Sequence, residues 1–276
     1  MKIFAAYSII IALGANPALA IPPESFGFPS APNDTALTVA FTHNGNTTVV
    51  EEGELFGVAI TSQQPALAVD TNKFESLANY NGSYVVLMVD PDAPTPQNAT
   101  SRFILHWLQS NMTQTDTTSS KLSGRELTNA TDAFVPYANP APPTDSDAHR
   151  YILYAFVQAS NFTIPEAFQD FSSTNRSSFN LTQFIADAGL GTPAAAQYFY
   201  VSNQTGVPDD FIALPGGNYS DAVSSSATST ASSTAASATS SGSASDGARV
   251  VGMSCSSGFT HSILGAGLLG LLFALL

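Results

Sequence analysis

Cysteine is nearly absent: Cys255 is alone in 276 residues, which excludes a disulfide-stapled miniprotein. Charge is scarce too, 11% of the chain, and it leans acidic, with 8 Lys+Arg against 21 Asp+Glu for a formal net charge of −13. With no basic run, the long-range field repels phosphate backbones, and the counterion release that drives nucleic-acid binding has no source. Anionic membrane surfaces are disfavoured for the same reason. Histidine is limited to four residues, His43, His106, His149 and His261. The G-x-S-x-G elbow, the H-E-x-x-H pair and the P-loop are all missing, which removes the commonest hydrolase, zinc-peptidase and nucleotide-binding templates. No internal repeat is present.

What is present starts at the ends. Residues 1–20 carry one early cation, Lys2, an apolar run to Leu13 and a close on Ala18-Leu19-Ala20, the small-x-small pattern of signal peptidase cleavage. Gly14, Asn16 and Pro17 interrupt the run where a core helix would continue, so the expectation is a secretory signal removed before Ile21. At the other end, ILGAGLLGLLFALL over residues 263–276 is apolar to its last residue, yet shorter than the ~20 residues that cross a bilayer as a helix. It has no basic stop and follows a polar spacer with small residues, Ser245-Asp246-Gly247, Gly252 and Ser254. This resembles a GPI-attachment signal, with a tail anchor or a shortened membrane span as the alternatives. Attachment at or before Ser254 would discard Cys255 with the tail.

Eleven Asn-x-Ser/Thr sequons run along the chain, a number hard to reconcile with a cytosolic protein. Asn111 goes with a strand and Asn180 with a helix start; the remaining acceptors are Asn33, Asn46, Asn81, Asn98, Asn129, Asn161, Asn175, Asn203 and Asn218. Sugar would supply the solubility that charge does not. From about residue 221 the chain is almost wholly Ser, Thr and Ala and has too little apolar surface to offset its ordering entropy. The expected organisation is therefore a signal peptide at 1–20, one domain at 21–220, a disordered, O-glycosylated stalk at 221–248, and the attachment signal with its tail at 249–276.

Within the domain the periodicity is mostly two. Leu37 to Phe41 and Thr47 to Glu51 flank Asn44-Gly45, the strongest short hairpin cue. Further strands are expected at 55–60, 84–89, 103–110, 151–158 and 198–201. One helix stands out, with Leu181, Phe184, Ile185 and Ala188 on one face, Asn180 as its N-cap and Gly189 as its terminator. The expected fold is mainly β, a sandwich with one or two peripheral helices.

Two segments carry chemistry. VVLMVDPDAPTP, residues 85–96, ends an apolar strand in two carboxylates, Asp90 and Asp92, on a loop stiffened by Pro91, Pro94 and Pro96. His106 follows in the next strand. YANPAPPTDSDAHRYILYAFVQ, residues 137–158, is a second Pro-rich loop entering a strand, with His149, Arg150 and Tyr151 at the junction.

Together these segments resemble the phosphatidylethanolamine-binding protein family, which also includes Raf kinase inhibitor and carboxypeptidase Y inhibitor members. Its hallmarks are a DPDAP segment followed by a histidine in the next strand, and a Y-x-G-P-x-P-P segment leading to HRY. The resemblance continues through FNLTQFIADAGLGTPAAAQYFYV, residues 179–201, and points to a secreted, GPI-anchored, fungal-type member with a PEBP-like sandwich. It implies a small anion pocket lined by Asp90, Pro94, His106, His149 and Tyr151, with Asp92 and Arg150 bracing the loops. Imidazole N–H groups and a tyrosine hydroxyl suit phosphate oxygens, and a carboxylate behind a histidine fixes its tautomer. Affinity is then expected to strengthen on mild acidification.

This chain departs from the pattern in places. Thr144-Asp145-Ser146-Asp147-Ala148 stands where the family has a Gly-Thr-Gly variant, Asn139 replaces a glycine, and Asp145 and Asp147 add carboxylates at the rim. The family's C-terminal pocket cover has no clear counterpart in residues 203–220.

The leading expectation is a non-enzymatic binding protein at the cell surface, on the plasma membrane or wall, taking a phosphorylated small molecule or phospholipid headgroup. An inhibitor of an extracellular or vacuolar serine peptidase is the alternative. A hydrolase using Asp90, His106 and His149 ranks last because it lacks a nucleophile. No cofactor is implied and no metal, although two histidines and an aspartate are acceptable zinc ligands.

Overall fold

A computed structural model describes residues 20–33, 37–70, 77 and 80–215. The expected stalk and attachment signal, Asn218, and all of the expected leader but Ala20 lie outside the described residues.

Twelve strands and one α-helix are found among the described residues. In chain order the strands are β1 (Ala20–Ile21), β2 (Ala31–Pro32), β3 (Leu37–His43), β4 (Asn46–Val49), β5 (Leu55–Gly57), β6 (Ala66–Val69), β7 (Ser83–Asp90), β8 (Ile104–Thr118), β9 (Arg125–Asn129), β10 (His149–Val157), β11 (Ala195–Ser202) and β12 (Ile212–Ala213); α1 is Leu181–Asp187. β1 and β2 pair with each other, and the other ten form one sheet in the order β12-β5-β11-β10-β7-β8-β9-β6-β3-β4. Every pairing is antiparallel except β5 with β11.

The expected mainly-β architecture with a peripheral helix is what the chain adopts, and its two layers are parts of one curled sheet. β3 and β11 are far apart in strand order, yet Phe41 meets Phe199 edge-on with ring centroids 5.3 Å apart. Curling packs one sheet face onto itself, enclosing Leu37, Val39, Phe41, Val86, Met88, Trp107, Leu153 and Phe199. The other face of β7 and β10, carrying Val85, Leu87, Val89, Ile152 and Phe156, is covered by Phe168, Phe179 and Phe184 from α1 and the segment before it. Both faces of the central strands are therefore buried, and this is why SYVVLMVD in β7 reads as a nearly continuous apolar run rather than an alternation.

Local signals place several elements. Asn44 and Gly45 have φ of 49° and 79°, both positive as a type I′ hairpin turn requires. The Asn180 side chain accepts from the Gln183 backbone N–H at 3.1 Å, α1 buries Leu181 and Phe184, and Gly189 follows with φ 63°. β6 and β9 were not expected, because ALAV and RELTN are too short or too polar to show an alternation. β8 runs well past the expected end at Ser110, since its far half is a half-exposed polar ladder.

Gly57 shows how tightly the far edge is built. A Cβ there would lie 2.2 Å from the Asp209 carbonyl oxygen and 2.4 Å from that of Pro208, and the Gly57 N–H donates to the Phe211 carbonyl at 2.7 Å. Gly57→Ala is expected to push the 208–213 segment off β5 at a cost of about 1–3 kcal/mol. Chemical denaturation reads this; an unchanged midpoint would mean that the segment is only loosely held.

Candidate functional site

Side-chain alternation brings the predicted site residues to one end of the sheet. Val86 and Met88 point to the enclosed face, so Asp90, two further along β7, points there too; on β10 the same phase joins His149, Tyr151 and Leu153. β7 and β10 are antiparallel neighbours, with Ile152 opposite Val89, so Asp90 at the end of β7 comes level with Tyr151 and reaches His149 diagonally.

His106 reaches the same face through a β-bulge. Val89 is opposite Leu105 and Met88 opposite Trp107, leaving His106 as the extra residue. Its ring meets Tyr151 edge-on at 5.1 Å, while the next residue, Trp107, also packs on the enclosed face. Bulges re-aim side chains in this way, at the cost of ladder hydrogen bonds. Here the freed groups find partners. Arg176, from the segment before α1, donates to the Leu105 and His106 carbonyls, both at 3.0 Å, and to the Pro136 carbonyl at 2.8 Å. The Ala138 N–H adds a bond to the His106 carbonyl at 2.8 Å.

Asp92 organises the two loops. Its carboxylate accepts from the Arg150 backbone N–H at 2.9 Å, from Nε at 2.8 Å and from Nη2 at 2.5 Å. The guanidinium also lies over Phe26 at 4.6 Å and Phe28 at 5.5 Å. The Asp92 N–H in turn donates to Asp90 Oδ1 at 2.7 Å, and Arg102 Nε holds the Pro91 carbonyl at 2.7 Å.

The two histidines differ in what they leave free. His149 is 1% exposed, and both of its ring nitrogens are committed within the protein. Nδ1 faces Asp90 Oδ2 at 2.8 Å, while Nε2 faces the Pro94 carbonyl at 3.2 Å and Ser146 Oγ at 3.0 Å. A carbonyl and a carboxylate both only accept, so Nε2 carries a hydrogen and a second proton lies between Nδ1 and Asp90 Oδ2. Ser146 Oγ gives its own hydrogen to the Asp147 carbonyl at 3.0 Å. The order Ser146, His149, Asp90 therefore has the connectivity of a nucleophilic triad without its polarity: the buried hydroxyl faces a donor rather than a base.

His106 donates Nδ1–H to the Ala138 carbonyl at 2.9 Å, and no partner for Nε2 is found among the described residues. In the neutral ring Nε2 is thus a free acceptor. Burial holds the His106 pKa below the ordinary histidine value, opposed only in part by the Asp90 charge and the Ala138 hydrogen bond. Burial, followed by the charges of Asp90 and Asp92, pushes the Tyr151 hydroxyl well up, so it stays a neutral O–H. That ring stacks on Phe199 at 5.8 Å.

Pro94 is exposed and contributes its carbonyl to His149. Asp145 and Asp147 are also exposed, and Asp147 accepts from Gln97 at 2.5 Å, linking the two loops. Sequence reading did not single out Ser146, Gln97, Phe26, Phe28 or Arg176. None carries a motif, and Arg176 sits inside the Asn175 sequon. Among the described residues no cluster of His, Cys, Asp and Glu could hold a metal ion. Two surface clefts lie away from this set, one of about 260 Å³ beside Ile185 and Pro193 and one of about 390 Å³ beside Phe162 and Gly189.

The sequence profile of the family described as "Phosphatidylethanolamine-binding protein" matches residues 30–199, more than half of the chain. The chain belongs to this family. Among curated relatives, Protein TWIN SISTER of FT from Arabidopsis thaliana is 33% identical over 128 residues, 46% of this chain and 63% of that protein, so the match spans less than two thirds of that relative's length. CEN-like protein 1 from Nicotiana tabacum is 29% identical over 163 residues, 59% of this chain and 79% of that protein. Among solved structures, carboxypeptidase Y inhibitor complexed with its cognate proteinase aligns at a TM-score of 0.49 and 17% identity, covering 63% of this chain and 86% of that one.

In this family member the Asp92–Arg150 pair is the joint between the two motif segments. Removing one partner of a buried ion pair strands the other, so Asp92→Ala is expected to destabilise the protein by about 3 kcal/mol. Guanidinium denaturation measures it; a loss within about 0.5 kcal/mol, the usual surface value, would rule out that role.

Proposed function

We propose that this protein is a non-enzymatic binding protein for a small phosphorylated ligand, either a free phosphomonoester or a phospholipid headgroup, with His106 Nε2 as the recognition atom. The observation that carries this reading is the asymmetry of the two histidines: His149 is spent on Asp90, Pro94 and Ser146, while His106 keeps one open nitrogen beside Tyr151. The family's description, which names a phospholipid, supports the ligand class. We place the protein outside the cytosol. Asn33, Asn46, Asn81, Asn98, Asn129, Asn161 and Asn175 are all exposed, as acceptors of sugar must be. By contrast, Asn203 is half-buried and donates its amide to the Pro142 carbonyl at 2.9 Å, and Asn111 is tied to Gln158 at 2.7 Å.

The chemistry fixes a pH signature. A neutral His106 accepts the O–H of a singly protonated phosphate; a protonated His106 donates to the dianion. Either way the complex holds one proton between Nε2 and a phosphate oxygen. The phosphate's second pKa lies near 6, and burial keeps His106 below its ordinary value of about 6.5. Above about pH 7 both free partners lack that proton, so binding takes one up and Kd rises about tenfold per pH unit.

The test is calorimetric titration with O-phosphoethanolamine, inorganic phosphate and ethanolamine at pH 6, 7 and 8, for the wild type and for His106→Ala. Binding of both phosphates, with uptake approaching one proton at pH 8 and lost in the variant, supports the reading. Saturable binding of ethanolamine alone, pH-independent affinity, or full affinity in His106→Ala would overturn it. If no probe binds and the protein inhibits a serine carboxypeptidase, the peptidase reading replaces it.

A further inference from the structure

The two ends of the ten-stranded sheet are finished differently. β12 closes one end with two residues, and a very short edge strand offers little ladder for another chain to join. β4 closes the other end with four residues, NTTV, of which Asn46, Thr47 and Val49 are exposed. It has no lysine, no proline and no charge, and its pairing with β3 runs without a bulge from Ala40↔Val49 to His43↔Asn46. These are the usual devices by which an edge is blunted, and none is present. In a two-residue hairpin the pair next to the turn is hydrogen-bonded and the following pair is not, so the N–H and C=O of Thr47 point away from β3, to the side where no strand pairs among the described residues. Val49 adds a side chain that is 42% exposed, one of the few large apolar groups in that position. Left bare, β4 is a template for strand addition.

Its first residue is the acceptor of a sequon, Asn46-Thr47-Thr48. Asn46 is exposed, and no partner for its side chain is found among the described residues. The type I′ turn of Asn44 and Gly45 brings it to the hairpin tip. We propose that Asn46 is N-glycosylated and that this glycan is the cap of the β4 edge. From Asn46 to Val49 the strand rises only about 10 Å, less than the reach of a branched oligosaccharide, so one glycan screens the whole free ladder. A polar, mobile sugar does here what lysine or proline does on other edges. The assignment rests on the extracellular reading above, because only there does the transferase meet the chain.

The experiment expresses the full chain in a eukaryotic secretory host and maps occupancy by glycopeptide mass spectrometry, with Asn129 and Asn161 as internal references. It then compares three variants by light scattering and by aggregation rate at fixed concentration. Asn46→Gln removes the acceptor, Thr48→Ala removes the sequon while keeping Asn46, and Asn161→Gln removes a glycan away from either edge. The expected result is an occupied Asn46, with both β4 variants associating several-fold faster than wild type while Asn161→Gln does not. Adding Thr47→Lys to Asn46→Gln should restore the wild-type rate by blunting the edge with charge. An empty Asn46 beside occupied references overturns this assignment alone, whereas all three empty overturns the extracellular reading as well. Equal aggregation of Asn46→Gln and Asn161→Gln would reduce the glycan to general solubility and overturn the edge role.

Discussion

The grip of Asp92 on Arg150 is the constraint on which the site depends. Asp92 is 1% exposed and receives three hydrogen bonds from one residue of the opposing strand, two of them from the guanidinium fork. A bidentate contact fixes direction as well as distance. It sets the loop after β7 against the start of β10, and that setting places Asp90 Oδ2 within 2.8 Å of His149. The outer face of the guanidinium is closed by Phe26 and Phe28. The segment between β1 and β2 is thereby part of the site's support, although it touches none of the recognition atoms.

A second arginine performs the matching task for His106. A bulge turns that histidine inward but frees the carbonyls beside it, and unpaired buried carbonyls are costly. Arg176 collects both through a single nitrogen, Nη1, from a segment otherwise concerned with α1. The low count of cations in this chain is therefore misleading as a guide to their use. Arg102, Arg150 and Arg176 each hold a backbone or carboxylate that positions the site. None of the three is left to attract an anion from a distance, and under the proposed reading recognition falls to the one uncommitted imidazole nitrogen of His106. Ser146 and His149 are likewise in contact, with a hydrogen-bond polarity that spends them on each other and on Pro94 rather than on activating an oxygen.

Much of this was legible in the chain. DPDAP, HRY and the histidine between them identified the family; the alternation in β3, the Asn-Gly turn and the Asn180-capped helix identified local elements. Those signals are short-range, set by turn chemistry and by side-chain periodicity. What was not legible has a common cause. β6 and β9 are held by their neighbours rather than by their own composition, and the polar half of β8 pairs because β7 and β9 supply partners. Phe26, Phe28, Gln97, Ser146 and Arg176 act across long sequence separations, without a motif.

By itself the sequence determined the family, the mainly-β class and the chain's acidic, cation-poor character, because each follows from residue identity and short spacing. Only the tertiary structure decided which histidine is available. His106 and His149 are equivalent as letters, and either could have faced a ligand. The bulge, the Arg176 clamp and the carbonyl of Pro94 separate them, and all three arise from contacts between segments that the linear chain keeps apart.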